Sequence, residues 1–209
     1  MDKILDGIER FQTERFPEYR ELFAGLADGQ SPETLFITCA DSRIDPSLIT
    51  SSMPGDLFVC RNAGNIVPPY SGSAEGTGAS IEYAVIALGI RDIVVCGHSG
   101  CGAMTGVLNP DAIRQFPQVS QWLTHSHAAV SEAQGQKPDA DDQTKLDYLI
   151  ERNVVLQLQH LRTHPAVAAR VTAGNLRLHG WVYDIGSGAI ATYDPAIDAF
   201  KPLQDRRPA

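Results

Sequence analysis

Positive charge is scarce in this chain of 209 residues, which has 17 lysine and arginine residues against 25 aspartate and glutamate residues and a net charge of −8. The largest basic run is the pair Arg206–Arg207 near the carboxyl end. Proteins that bind nucleic acids generally carry a basic stripe or patch that neutralises phosphates. The sequence therefore predicts no nucleic-acid partner.

Long apolar runs are also missing. No stretch approaches the ~20 residues that cross a bilayer as a helix. The first residues, MDKILDGIERF, are acidic where a secretory signal has a basic start and an apolar centre. We expect a cytoplasmic protein with no membrane partner. In that reducing compartment the few cysteines, at positions 39, 60, 96 and 101, are expected to be buried thiols or metal ligands rather than disulfides.

Short β-rich runs alternate with helical patterns along the chain. The predicted strands are TLFITC (34–39), DLFVCR (56–61), DIVVCG (92–97), LRLHGWVYDI (176–185) and, after a GSG turn, an antiparallel AIATYD (189–194). Strands that are apolar on both faces and separated by helices are typical of a parallel sheet covered on both sides. The sequence therefore predicts one α/β domain over residues 1–209, with a central, mostly parallel sheet of four strands, one added antiparallel strand and helices on both faces.

Two helical patterns stand out. GASIEYAVIALGI predicts a helix over residues 79–90, and EGTG (75–78) is interpreted as the turn leading into it. DQTKLDYLIERNVVLQLQHL predicts a longer helix whose apolar stripe comprises Leu146, Ile150, Val154, Leu158 and Leu161. The polar segment 131–143 is predicted to be a loop or a poorly ordered linker rather than a domain boundary.

An N-terminal helical arm is predicted over about residues 1–28. Ile4, Ile8 and Phe11 share one side of its first helix, and charged residues occupy the other side. The apolar side must be buried, either on the same domain or on a neighbouring subunit. We favour the neighbouring subunit.

Cysteine and histidine residues end two of the predicted strands. Cys39 ends the first, and VVCGHSGCGAM places Cys96 and His98 at the end of the third, with Cys101 three residues later. In a parallel α/β sheet, ligands collect at the carboxyl ends of strands that lie about 4.8 Å apart. Cys101 starts a predicted helix, which favours a thiolate, whereas Cys96 and Cys60 are expected to pack in the core. The set Cys39, His98 and Cys101 leaves a fourth position open, as in a catalytic zinc site.

CADSR (39–43) places charged groups beside the first of these ligands. Asp41 is positioned to accept a hydrogen bond from water on the metal, and Arg43 to keep Asp41 ionised and fixed. Alternatively, Asp41 and Ser42 cap the next helix and Arg43 makes a surface ion pair. CADSR alone favours neither interpretation, and the cluster of His98 and Cys101 favours the first.

Four other histidines are interpreted as structural or exposed to solvent. His160 and His164 have the spacing of an HxxxH pair, but a proline follows at once and Thr163 is predicted to cap a new helix. His125 and His127 are two residues apart and would point to different sides of a helix. Neither pair is predicted to bind a metal.

The ordered motifs CADSR, RNAGNIV, GTGASIEYAV, GHSGCGAM and HGWVYDI resemble those of β-class carbonic anhydrases from about residue 2 to residue 200. The similarity is greatest to the branch shared by plant enzymes and bacterial enzymes encoded beside cyanase. The resemblance implies reversible hydration of carbon dioxide to bicarbonate and a proton. It also implies one Zn²⁺ per chain on Cys39, His98 and Cys101, with zinc-bound hydroxide oriented by an Asp41–Arg43 dyad.

The resemblance extends to the substrate pocket. The pocket residues of the plant-like branch correspond to Gln30, Phe58 and Tyr83, and the backbone amide of Gly102 is expected to face substrate. Ala63 stands where the plant enzymes have a larger aliphatic residue, which implies a slightly wider pocket.

One departure concerns inhibition by bicarbonate. The inhibited subgroup carries a tryptophan three residues before the first zinc cysteine, together with an arginine and a tyrosine. Arg61 and Tyr183 match the last two, but the tryptophan position is Phe36. Since Phe36 has no indole N–H, we expect the inhibitory site to be incomplete and the zinc to be open to water rather than closed by Asp41.

The family implies a homodimer or a higher homo-oligomer, either a tetramer or an octamer. Two other functions stay open at this point. One is carbon disulfide hydrolysis on the same scaffold, which depends on the access path more than on these motifs. The other is a zinc-stabilised scaffold without turnover, against which the intact dyad and Gln30 argue.

Overall fold

The structure, a computed structural model, describes residues 1–203. The α-helices are α1 (Asp2–Arg10), α2 (Phe16–Glu18), α3 (Arg20–Leu26), α4 (Pro46–Thr50), α5 (Gly76–Glu82), α6 (Gly102–Leu108), α7 (Pro110–Ile113), α8 (Pro117–Trp122), α9 (His127–Gln136), α10 (Asp142–Leu161) and α11 (Pro165–Thr172). The strands are β1 (Thr34–Cys39), β2 (Leu57–Asn62), β3 (Asp92–His98), β4 (Arg177–Tyr183), β5 (Ile190–Asp194) and β6 (Ala199–Pro202). Across these residues, no helix combines the length and the apolar character that a membrane crossing requires.

Within residues 1–203 the strands form one six-stranded sheet in the order β2-β1-β3-β4-β5-β6. β1 to β4 are parallel, and β5 and β6 are antiparallel. The predicted fold class and the predicted antiparallel strand are therefore confirmed. β6 was not predicted, because its four residues include a proline and show no apolar alternation. Its pairing with β5 includes a contact between the Tyr193 and Phe200 rings, whose centroids are 5.4 Å apart.

Buried side chains form two clusters in the described part of the chain. Successive residues of a strand point to opposite faces, so Phe36 and Val94 belong to one cluster and Leu35 and Ile93 to the other. α6, α9 and the first half of α10 contribute to the first cluster, and α5, α11 and the second half of α10 to the second. The predicted apolar stripe of α10 is buried along its whole length, which confirms that prediction.

The prediction of a loop over 131–143 is wrong for much of that segment. α9 continues to Gln136, and α10 begins at Asp142, where the Asp141 side chain accepts a hydrogen bond from Thr144 N. α9 is packed through Ala129 and Ala133, which are almost fully buried. Small alanines give no strong apolar period, so the sequence pattern did not reveal the helix.

Two helix starts also differ from the predictions. α5 begins three residues earlier than predicted, because the Glu75 carboxylate accepts hydrogen bonds from the backbone N–H groups of Thr77 and Gly78. The residue that precedes α11 is His164, one residue later than the predicted cap, since the Thr163 hydroxyl donates to His160 O instead (2.6 Å). The HxxxH pair does not share a helix, as predicted.

The N-terminal arm consists of α1, α2 and α3. None of the residues in these helices is buried. Ile4, Ile8 and Phe11 have 62%, 48% and 44% of their surface exposed. The rings of Phe11, Phe16 and Phe23 pack on one another. Within residues 1–203, the apolar side of α1 is therefore not buried on its own domain, which was one of the two sequence alternatives.

Glycines bring α10 unusually close to the sheet. A Cβ added to Gly97 in β3 would lie 3.0 Å from Val154 Cγ2, and one added to Gly180 in β4 would lie 2.9 Å from Leu158 Cδ1 and 3.0 Å from Val154 Cγ1. Such distances lie at or below the short limit of the contacts that real Cβ atoms make, so the neighbouring side chains would have to shift. Because these two positions lack side chains, α10 lies directly against the strands that end at His98 and Tyr183.

Gly180→Ala should therefore destabilise the fold by about 1–3 kcal/mol, the usual cost of overpacking a well-packed core. The measurement is urea unfolding of the metal-free protein. Gly135→Ala in α9 is the matched control, because an added Cβ meets nothing within 4 Å there. It should be neutral or slightly stabilising. Equal free energies of unfolding for the two variants would contradict the close approach of α10.

Candidate metal centre

Three side chains from separate elements converge at the carboxyl end of the parallel strands. Cys39 is the last residue of β1, and His98 is the last residue of the neighbouring β3. Cys101 immediately precedes α6, after a turn in which Gly100 adopts φ +60°, a left-handed conformation that glycine accommodates readily. The ligand atoms of the three residues lie within 4.8 Å of one another, and all three residues are buried. The structure thus brings together the three predicted ligands.

The His98 ring presents an unused lone pair to this cluster. Nδ1 lies 3.0 Å from Ser99 O, and because a carbonyl only accepts, Nδ1 carries the proton. Nε2 is then an acceptor, and it is buried without a hydrogen-bond partner among residues 1–203. An unpaired buried polar atom is costly. A metal ligand with its other ring nitrogen bound to a carbonyl has this arrangement.

The two sulfur atoms of the cluster interact directly with each other. Their mutual hydrogen bond lowers the pKa of Cys39, against the opposing effect of burial, and raises the pKa of Cys101. This hydrogen bond therefore favours the thiolate form of Cys39 and the thiol form of Cys101. The backbone N–H of Gly64 also donates to Cys39 Sγ, at 3.4 Å. Two sulfurs and one imidazole nitrogen form a donor set suited to a zinc ion, so the residues present fit the metal.

Asp41 and Arg43 form a bidentate ion pair beside the cluster. Arg43 Nε donates to Asp41 Oδ1 at 2.9 Å, and Arg43 Nη2 donates to Oδ2 at 2.7 Å. These hydrogen bonds hold the pKa of Asp41 well below its usual range. Asp41 Oδ2 also lies 3.8 Å from His98 Nε2, so the ionised carboxylate faces the cluster. Arg43 Nη2 donates in addition to Gly100 O at 3.1 Å, which ties this pair to the turn before Cys101.

The predicted substrate residues do not all gather at the cluster. Gly102 follows Cys101 directly, as the first residue of α6. Phe58 instead pairs with Leu35 in the sheet, four residues before Cys39, which is about 13 Å along the strand. The Phe58 ring lies 5.9 Å from that of Tyr83, which is 49% exposed. Gln30 is exposed in the segment between α3 and β1.

The remaining cysteines stand apart from the ligand set. Cys96 is fully buried, and burial raises its pKa to about 12. Cys60 is half-buried, and burial raises its pKa as well. The four cysteines all lie within residues 1–203, and none forms a disulfide there.

Phe36 and Arg61, at the positions of the inhibitory bicarbonate site in the inhibited subgroup, contact other groups of this chain. Phe36 is buried and packs edge-to-face on Trp181, with ring centroids 5.9 Å apart. Arg61 donates to Cys39 O at 3.0 Å and to Asp41 O at 2.6 Å, and so fixes the backbone on both sides of Ala40.

Sequence reasoning missed the groups that surround Gly64. The glycine lies in the quoted motif RNAGNIV, but no role was assigned to it. Asn153 adjoins the apolar stripe of α10, is 1% exposed, and donates from Nδ2 to Gly64 O. A buried amide within an apolar helix face is the signal that could have drawn attention to this position.

Comparison with known proteins places this geometry in a family. A model of the carbonic anhydrase family matches residues 34–190. The carbonic anhydrase of Pseudomonas aeruginosa is 48% identical over 205 residues, which is 98% of this chain and 93% of that protein. Carbonic anhydrase 1 of Escherichia coli O157:H7 is 50% identical over 205 residues, which is 97% of this chain and 92% of that protein.

Solved structures agree with these matches. The β-carbonic anhydrase CcaA superposes with a TM-score of 0.95 at 42% identity, covering 99% of this chain and 93% of its own. A structure of the tetrameric β-carbonic anhydrases from Sordaria macrospora superposes with a TM-score of 0.80 at 31% identity, covering 91% of this chain and 95% of its own. Sequence motifs, fold and relatives agree, and the chain belongs to the β-class of the carbonic anhydrase family.

Proposed function

We propose that this chain catalyses the reversible hydration of carbon dioxide to bicarbonate and a proton at one Zn²⁺ held by Cys39, His98 and Cys101. The observation that carries the proposal is the convergence of two buried thiols and the unpaired Nε2 of His98 within 4.8 Å, in a chain that belongs to this family. Three protein ligands are the number that catalytic zinc sites use when one position is kept for water or substrate.

Bound zinc would supply the Lewis acidity that makes water nucleophilic near neutral pH. The role of Asp41 follows from its own contacts. Arg43 occupies one side of both carboxylate oxygens, and the remaining lone pair of Oδ2 faces the cluster. Because the carboxylate stays ionised, it is only an acceptor. Asp41 therefore accepts a hydrogen bond from the O–H of the attacking water and directs the oxygen of that water towards carbon dioxide. Arg43 fixes the carboxylate in this position.

We assign the remaining pocket groups to substrate. The N–H of Gly102 is at the start of α6, where backbone donors have no acceptor within the helix, so it is available to an oxygen of bicarbonate. We propose that Phe58 and Tyr83 line the apolar part of the pocket and that Gln30 donates to bicarbonate. Phe58 lies about 13 Å along the sheet from Cys39 of its own chain. We therefore propose that the pocket beside each cluster is lined by Phe58 and Tyr83 of a second subunit.

A homo-oligomer, with the dimer as its minimal unit and a tetramer or an octamer as larger forms, is therefore part of the proposal. The exposed apolar side of α1 supports it. We also propose that the chain is one domain and acts in the cytoplasm, in keeping with the absence of disulfides among its described cysteines.

Replacing a proposed sulfur ligand should abolish zinc binding. Cys39→Ser and Cys101→Ser should each lower the zinc content after dialysis from about one ion per chain towards zero, because two remaining ligands do not hold the ion. The measurement is elemental analysis of each protein. Cys60→Ser is the matched control, since Cys60 is half-buried and outside the cluster, and it should keep its zinc. Full zinc content in Cys39→Ser would contradict the assigned site.

Asp41→Asn should keep zinc and lose most turnover. The neutral amide does not retain the bidentate pair with Arg43, so the rate of hydration should fall roughly 100-fold or more, as for loss of a positioned acid–base group. Stopped-flow hydration with a pH indicator measures this. Asp45→Asn on the same loop is the control, because its Oδ1 can still cap α4 at Leu48 N. If Asp41→Asn lost as much zinc as Cys39→Ser and Cys101→Ser, Asp41 would have a structural role only.

The same stopped-flow assay on the zinc-loaded and the chelated wild-type protein tests the reaction itself. Fast hydration that disappears with the metal is the expected result. A zinc-loaded protein without activity towards carbon dioxide would contradict the proposed function. Turnover of carbon disulfide or a purely stabilising effect of zinc would then identify which alternative applies.

Charge on the apolar side of α1 should weaken the oligomer. Ile4→Glu combined with Ile8→Glu should raise the protein concentration at which subunits dissociate by roughly tenfold or more, corresponding to at least 1.4 kcal/mol. Sedimentation equilibrium measures this. Arg10→Glu, on the polar side, changes the net charge by the same amount and should leave assembly unaltered. An unchanged assembly in the double variant would show that α1 lies outside the interface.

A further inference from the structure

The backbone of Gly64 connects the candidate metal centre to the protein interior. Its N–H donates to Cys39 Sγ at 3.4 Å. Its φ of +79° is left-handed, and an added Cβ would lie 3.0 Å from Ala103 Cβ and 3.1 Å from Met104 Cε, so the position requires glycine. Glycine has wide backbone freedom, and its own conformational preference does not hold an N–H on a sulfur. Other groups must fix the two peptide groups that flank Gly64.

Trp122 holds the first of these peptide groups. Its indole Nε1 donates to Ala63 O at 2.9 Å, and Ala63 C=O belongs to the same peptide group as Gly64 N–H. In a trans peptide the C=O and N–H point in opposite directions. The indole therefore binds one side of the group while Cys39 Sγ accepts on the other side. Hydrogen bonds in such a chain polarise one another, so Trp122 both orients and strengthens the N–H donor.

Asn153 holds the second peptide group, with Nδ2 donating to Gly64 O at 3.1 Å. Its Oδ1 accepts from Ser126 Oγ at 2.8 Å and from Gln157 Nε2 at 2.9 Å. The residues Ser126, Asn153 and Gln157 are almost completely buried. Water therefore offers no alternative partner to these groups, and their hydrogen bonds must be made within the protein.

The direction of this amide chain is fixed at both ends by the backbone. Val67 N–H can only donate, and it donates to Gln157 Oε1 at 2.9 Å. Gln157 therefore donates from Nε2 to Asn153 Oδ1. This orientation leaves Asn153 Nδ2 facing Gly64 O. Gly64 O can only accept, so the last bond is satisfied in the same orientation. A flip of either amide would break bonds at both ends.

We propose that Trp122 and Asn153 are positioning residues of the metal centre. By clamping the peptide groups on either side of Gly64, they keep its N–H on the Cys39 sulfur. That hydrogen bond withdraws electron density from the thiolate and fixes the direction of its lone pairs, so the clamp sets the donor strength of Cys39 and the affinity for the metal. The inference rests on the proposed function only in taking Cys39, His98 and Cys101 as ligands.

The test uses Co²⁺ as the probe in the full chain, because thiolate-to-cobalt charge-transfer absorption reports directly on the donor strength of sulfur. Asn153→Leu and Trp122→Phe should each shift this band to longer wavelength, since a thiolate without its hydrogen bond is a stronger electron donor. Competition with a chelator should show an affinity for Co²⁺ roughly 10- to 100-fold lower, because losing the fixed direction of the sulfur lone pairs outweighs the gain in donor strength.

Ser126→Ala is the matched control. It removes a buried hydrogen bond from the same network, but Gln157 still fixes Asn153, and the bond to Gly64 remains. It should lower the thermal stability and leave the band and the affinity unchanged. If Asn153→Leu does not fold, Trp122→Phe decides alone, because it keeps an aromatic ring at this position and removes the N–H donor.

Wild-type band position and affinity in the folded Asn153→Leu and Trp122→Phe variants would overturn the inference, and so would an equal shift in Ser126→Ala. A wild-type chain that binds Co²⁺ without a sulfur charge-transfer band would overturn the ligand set and the inference together. Hydration is measured separately. If the variants shift as expected and the wild-type protein does not hydrate carbon dioxide, the clamp stands and the proposed reaction fails.

Discussion

The register between β1 and β3 is the constraint on which the candidate centre depends. Thr38 lies opposite Cys96, so Cys39 and His98 end neighbouring parallel strands at nearly the same level. A slip of one residue would move His98 about 3.3 Å along β1 and change the distance between the two ligands. The register is in turn fixed by the apolar residues of both strands, which are buried on both faces of the sheet. The packing of the core therefore sets the geometry of the site.

Electrostatics adds a second requirement. Two buried sulfurs and the Asp41 carboxylate concentrate negative charge where water is scarce, which is costly without compensating cations. Arg43 compensates the carboxylate, and Arg61 binds the carbonyl groups of Cys39 and Asp41. Neither guanidinium donates to the sulfurs. A divalent cation between the three ligands would provide this compensation.

Much of this organisation was predictable from the sequence. Buried parallel strands leave continuous apolar runs, and ligands at strand ends are expected to converge, so the sheet and the set of Cys39, His98 and Cys101 could both be inferred. Other features depend on packing that has no sequence period. α9 is buried through alanines, and β6 forms only by pairing with β5. The location of Phe58 far from Cys39 follows from the strand register, which a motif does not encode.

Val154 links two glycines of the sheet, Gly97 and Gly180, to the surroundings of the candidate metal centre. It is the side chain that meets both Gly97 and Gly180, and it adjoins Asn153, whose amide contacts Gly64. The depth at which α10 rests on the sheet thus decides how far that amide reaches. The distance between α10 and the sheet on the Val154 side therefore determines whether Asn153 reaches Gly64 O on the other side. The lack of side chains at Gly97 and Gly180 therefore contributes to the geometry of the candidate metal centre.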